Sequence, residues 1–202
     1  GISKGNNLVY ILVESFEWYV FLDLVTEEQS LALYPNLNKF MESGLYADNF
    51  YAREKTDLSE LLAVLGTNSS NKYTNYDFEE NTFPQSLPNM YKRNVVENGK
   101  TLIQCDSFYQ NTAKFYNREK LHASLGFDNF YSIEDMEEYG VVNTCETISE
   151  YNLDSQTMEK MQDEMFPKTS LNEQFLTFWI TYSMHGNFRY RQTFIDAGYY
   201  DK

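Results

Sequence analysis

Thr56 is the hydroxyl in this chain best surrounded for chemistry. It heads the segment Lys55-Thr56-Asp57-Leu58-Ser59-Glu60. Leu58, Leu61, Leu62 and Leu65 follow at i, i+3, i+4 and i+7, the apolar stripe of an amphipathic helix, and Gly66 is placed to end it. Asp57 with Glu60 three residues on reads as a capping box. Thr56 then stands at or just before the helix N-terminus, where free N–H groups and the helix dipole favour an anion. A hydroxyl held beside an anion site suits phosphoryl transfer to a side chain. Taken alone, the segment is explained more readily by capping than by catalysis, because Thr and Asp commonly begin helices.

Three further polar residues stand where apolar runs stop. Residues 8–13, Leu-Val-Tyr-Ile-Leu-Val, read as a buried parallel strand that ends at Glu14. Residues 101–105 read as a strand with Asp106 at its tip, and residues 175–182 as a strand running into Ser183-Met184-His185. Open α/β sheets place their ligands at the C-terminal ends of strands. Glu14 could equally begin a solvated loop.

The elements that must position these groups follow from periodicity and punctuation. Residues 35–41 suit a short helix, with Leu37, Phe40 and Met41 inward and Gly44 as its stop. Residues 45–52 look like a strand that delivers the chain to Thr56, and residues 67–82 like a long polar loop. A helix is expected over 84–98. Phe115-Tyr116-Asn117-Arg118 leads a short helix through Leu121 and Leu125 to Gly126, and residues 127–131 form a short strand. Asp154 caps a helix with a core stripe of Met158, Met161 and Met165 and a Leu153–Met158 staple. His122 lies inside a helical pattern and reads as structural. Residues 17–34 give no clear pattern. The alternation points to an α/β fold with a doubly wound, mostly parallel sheet and helices on both faces.

The 202 residues suffice for one domain with a sizeable core, and 42% hydrophobic with 17% aromatic content marks a globular chain. A net charge of −14 argues against nucleic acid as a partner. An acidic protein that handles an anionic substrate needs local positive charge, from a metal ion or a placed Arg. No apolar run approaches the ~20 residues of a membrane span. Gly1 leaves room for an upstream membrane anchor. Cys105 and Cys145 are too few for a disulfide framework or a zinc site.

Seven short segments, in order, resemble the lipoteichoic acid synthase branch of the alkaline phosphatase and sulfatase superfamily. They are Val13-Glu14-Ser15-Phe16, Pro35-Asn36-Leu37, Lys55-Thr56-Asp57 with Ser59-Glu60, residues 83–88, Phe115-Tyr116-Asn117-Arg118, Leu125-Gly126-Phe127-Asp128 and Ser183-Met184-His185. The resemblance implies an alkaline phosphatase-like fold, with residues 1–202 the N-terminal portion of one sulfatase-like catalytic domain. It implies that Glu14 and Thr56 bind a divalent metal, Mn²⁺ first, with Mg²⁺ or Zn²⁺ as alternatives. Thr56 is also the implied nucleophile, and Arg118 and His185 the phosphoryl or glycerol-phosphate contacts. Tyr109 stands where the family carries a histidine, which leaves substrate identity open. The family's Asp-His metal ligands come from a later strand, and residues 1–202 contain no such pair. Neither cysteine begins the Cys-x-Pro-x-Arg motif of formylglycine sulfatases, so the sulfatase likeness is one of fold rather than chemistry.

The expected function is metal-dependent transfer or hydrolysis of an extracellular phosphoester, such as phosphoglycerol from a lipid, through a phospho-threonine. The expected location is the outer face of the cell membrane. The alternative is a non-catalytic surface module that binds anionic glycopolymer. Oligomeric state is not legible.

Overall fold

The computed structural model describes residues 6–16, 35–45, 47, 52, 55–67, 81–143 and 152–185. The chain divides into two compact units, Gly1–Glu14 with Arg53–Lys202, and Ser15–Ala52. In the larger unit, four strands form one parallel sheet in the order β1-β4-β2-β3. They are β1 (Leu8–Leu12), β2 (Thr101–Tyr109), β3 (Asn129–Tyr131) and β4 (Glu173–Ile180).

Strand side chains alternate between two cores. Cys105, Tyr109, Leu176, Phe178 and Ile180 pack with Leu61 and Val64 of α2 (Thr56–Leu65), Tyr91 and Val95 of α3 (Leu87–Glu97), and Leu121 and Leu125 of α4 (Arg118–Leu125). Phe108 and Trp179 point the other way. They meet Ile133 and Met136 of α5 (Ile133–Glu137) and Met161 and Met165 of α6 (Asp154–Met165). The sheet is therefore wound on both faces, as expected.

Several local expectations shift. β1 pairs only with β4 among the described residues, and Val9, Ile11 and Val13 are exposed, so it is half-covered rather than buried. α2 presents Asp57, Glu60, Leu61 and Val64 to the core. That face is turned one residue from the Leu58-Leu61-Leu62-Leu65 stripe, because Glu60 finds partners inside. The capping box is absent: Lys55 is the N-cap, Thr56 is the first helical residue, and Asp57 is buried with Oδ1 unpartnered among the described residues. Gly66 ends the helix at φ 65°, as expected of a left-handed cap. Likewise Leu153, not Asp154, precedes α6 as its N-cap.

The smaller unit contributes α1 (Pro35–Ser43), in which Phe40 is 74% exposed rather than inward. Most of the expected strand over 45–52 and most of the loop over 67–82 lie outside the described residues; 45, 47 and 52 are described and are not in a strand. α5, with its Ser132–Asp135 capping box, had not been anticipated.

β2 runs four residues beyond the expected end, so Asp106 lies within the strand and not at its tip. Its Oδ1 accepts hydrogen bonds from the backbone N–H and the side-chain amide of Asn129 on β3, at 3.1 and 3.0 Å. Burial pushes the Asp106 carboxyl up to about 6 from an ordinary 3.8, against the pull of those bonds. A raised folded-state pKa means the folded protein binds the proton more tightly. This contribution is therefore full below pH ~4 and is lost as pH rises through 6, by at most about 3 kcal/mol. Asp106→Asn keeps an acceptor for Asn129 and cannot ionise. Thermal melting at pH 4 and 6.5 is expected to show the variant gaining on the parent at the higher pH; parallel curves would contradict it.

Candidate active site

The C-terminal ends of β1, β4 and β2 lie side by side, and the candidate residues gather there. Glu14 follows β1, and its backbone N–H donates to Thr181 Oγ1 just past β4 at 2.8 Å. Ser15, next in the chain, takes the strained φ of 49°. Thr56 Oγ1 donates to Glu14 Oε2 at 2.5 Å, across 42 positions of sequence. This is direct hydrogen-bond contact, closer than the roughly 3–5 Å of two oxygens sharing a cation.

Arg118, the first residue of α4, is fully buried. The turn that delivers it holds Tyr116 and Asn117 at φ 56° and 52°, an arrangement that only surrounding contacts can maintain. Its guanidinium carbon lies 4.0 Å from the Tyr109 ring centre and 5.2 Å from that of Tyr116. Its Nε donates to Glu60 Oε2 at 2.9 Å, while among the described residues Nη1 and Nη2 make no hydrogen bond of good geometry, the Tyr109 phenol being a further polar neighbour of the guanidinium. Two unpaired guanidinium nitrogens in a buried place are costly, and a bound oxyanion would satisfy both.

Glu60 is the residue that sequence reasoning misassigned. Fully buried, it meets Arg118 with one oxygen and His122 Nε2 with the other, at 2.7 Å; His122 Nδ1 reaches Ser107 Oγ on β2 at 2.8 Å. Burial pushes the Glu60 carboxyl up, but the Arg118 charge and the hydrogen bonds from His122 and Arg118 outweigh it and hold it below the ordinary value. Spacing carried the signal: Thr56 and Glu60 are one helical turn apart, as are Arg118 and His122.

Tyr109 ends β2 and stands between groups. Its ring meets Tyr182 edge-on at 5.5 Å, and Tyr182 contacts the His185 ring at 5.3 Å. Burial raises its phenol pKa, with the Arg118 charge opposing and Glu14 adding to the rise. His185 is half-buried in a turn beyond β4, its N–H on the Tyr182 carbonyl at 3.0 Å. Asp154 fixes that turn, accepting from the backbone N–H groups of Tyr182 and Ser183 at 2.7 and 3.2 Å and from Gln110 at 2.6 Å. Glu14, Thr56, Tyr109, Arg118 and His185 thus gather at one end of the sheet; Asp106, inside β2, does not join them.

Glu14 and Thr56 offer hard oxygen donors, the kind that Mg²⁺ and Mn²⁺ prefer. The pair fits as part of a donor set. Among the described residues no group of three or more His, Cys, Asp or Glu is arranged to complete it, and no helix is long and apolar enough to cross a membrane.

Residues 6–201 match the Sulfatase family. YvgJ of Bacillus subtilis (strain 168), a lipoteichoic acid synthase-like protein, is 22% identical over 192 residues, covering 92% of this chain and 28% of the relative. Lipoteichoic acid synthase 1 of the same organism is 29% identical over 154 residues, covering 71% and 22%. The solved lipoteichoic acid synthase LtaP from Listeria monocytogenes aligns with a TM-score of 0.70 at 23% identity, over 96% of this chain and 44% of that one. A protein in the alkaline phosphatase superfamily from Vibrio parahaemolyticus gives 0.63 at 22% identity, over 94% and 43%. The structural likenesses speak for a shared alkaline phosphatase-like fold. The chain spans about a quarter of the length of those curated relatives and under half of those solved chains.

Proposed function

The chain belongs to the Sulfatase family, and from that premise we propose that it supplies part of the active site of a metal-dependent phosphotransferase or hydrolase. The substrate class is an extracellular phosphoester, and phosphoglycerol from a lipid headgroup is the specific reading; the domain then works on the outer face of the cell membrane. The observation that carries the proposal is the Thr56–Glu14 contact, made over 42 positions at the C-terminal edge of the sheet. A helix cap needs no such partner.

Glu14 and Thr56 would hold the divalent ion, which supplies positive charge that acidifies the Thr56 hydroxyl and screens the phosphate. Thr56 Oγ attacks phosphorus; an O–P bond forms to threonine as the bond to the leaving alkoxide breaks, and the alkoxide takes a proton from water. The Thr56 hydroxyl already donates to Glu14 Oε2, so its proton has an acceptor. Arg118 receives the non-bridging oxygens on Nη1 and Nη2. His185 and Tyr109 line the side on which the remainder of the ester would lie. An incoming hydroxyl or water then takes the phosphoryl group from Thr56 and returns the hydroxyl. Family membership, the fold and the geometry around Arg118 support this reading.

The test uses the protein with its natural flanking sequence and a chromogenic phosphodiester. A chelator is expected to abolish hydrolysis and Mn²⁺ to restore it. Residues 1–202 alone are expected to bind the ion weakly, since two oxygens rarely hold a divalent cation against water. Activity indifferent to chelation would remove the metal from the mechanism.

A further inference from the structure

We propose that Glu60 is the positioning residue of this site: it aims both terminal nitrogens of Arg118 at the phosphoryl group and ties that guanidinium to the helix bearing Thr56. The inference rests on the phosphoryl-transfer reading above.

A carboxylate beside an arginine commonly takes two of its N–H groups in a parallel fork. Glu60 does not. It spends Oε2 on Nε alone and Oε1 on His122, so one face of the guanidinium fork is left over. His122 is itself held by Ser107 on β2, which removes the freedom of Glu60 to rotate toward Nη1 or Nη2. Tyr109 and Tyr116 fix the plane of the guanidinium from their rings. Arg118, Glu60 and His122 are all 0% exposed. For stability alone this is a poor arrangement: a buried ion pair seldom outperforms apolar packing, and unpaired donors cost more. It makes sense as preorganisation. Glu60 lies one turn after Thr56 on α2, so a single side chain sets the spacing between nucleophile and arginine.

Glu60→Gln can still accept from Arg118 Nε while its amide donates to the other His122 tautomer. Glu60→Asp keeps the charge but retracts it by one methylene. In the protein with its natural flanking sequence, the aspartate variant is expected to lose about 100-fold in kcat/KM, chiefly in kcat, as a displacement of about 1 Å costs. The glutamine variant is expected to stay within about tenfold of the parent. In an Arg118→Lys background Glu60→Asp should cost little more, because the fork it aims is gone. Ser107→Ala, which loosens His122 without touching the carboxylate, gives a second reading should the aspartate variant not fold: kcat falls several-fold at unchanged KM. Folded Glu60→Asp and Ser107→Ala variants with parental kcat, or an aspartate loss that persists in full beside Arg118→Lys, overturn the proposal. A parent protein with no phosphodiesterase activity in the presence of Mn²⁺ counts instead against the phosphoryl-transfer reading, and takes this inference with it.

Discussion

Thr56→Ala is expected to abolish turnover, a fall of about 10⁴-fold or more, because in the proposed mechanism it deletes the atom that receives the phosphoryl group. The fold should barely notice. Thr56 is the first helical residue rather than the cap, so the variant loses one part-buried hydrogen bond to Glu14, worth about 1 kcal/mol. Thr56→Ser keeps the hydroxyl but frees its rotation, and partial activity is expected. Steady-state assays beside thermal melts separate the two effects. A phosphodiesterase that runs at the parental rate with alanine at 56 would leave Thr56 a structural residue.

The second large effect falls on Arg118. Arg118→Ala strips the buried Glu60 carboxylate of its main counter-charge, and breaking a buried pair from one side costs about 3–5 kcal/mol. Arg118→Lys keeps a positive charge beside Glu60 but cannot present two further donors in one plane. The lysine variant is therefore expected to fold and to lose about 10²–10³-fold in kcat/KM, the usual result of removing an oxyanion donor. Denaturant unfolding and kinetics on both variants check this. Equal stability in the alanine variant would show that Glu60 takes up its proton or another partner, and near-parental kinetics in the lysine variant would remove Arg118 from phosphate binding.

What could be read from the chain beforehand divides along physical lines. Apolar runs bounded by glycine and proline gave the strand–helix alternation, since burial of 175–182 is written in consecutive residues. Glu14 and His185 were legible for the same reason, as polar residues at the end of such runs. Asp106 was misplaced because a strand interior was assumed to be apolar; its carboxyl is accepted there through two bonds from Asn129, a partner 23 residues away. The face of α2 was misjudged by one residue for a like cause. Hydrophobicity alone votes for Leu58 and Leu62, but Glu60 goes inside because Arg118 and His122, 58 and 62 positions on, offer it charge and hydrogen bonds. Local patterns do not encode such long-range polar satisfaction. Asp154 was similarly read as a cap, and it serves instead to hold the turn before His185.

The pairing of β1 with β4 carries a consequence for the order in which the protein comes into being. Leu8 lies opposite Leu176, so the earliest of the described strands to leave the ribosome has to wait for the last of them. At roughly 5–20 residues per second, the intervening 168 positions take about 10–30 s to synthesise. During that interval β2, α4 and β3 can already pack, while Leu8, Tyr10 and Leu12 stay in search of a partner and Glu14 has no fixed place. Thr56 thus meets Glu14 in its settled place only after nearly all of these residues exist. The topology thus defers the Thr56–Glu14 contact, and β1 is the described segment most in need of protection from association with its neighbours.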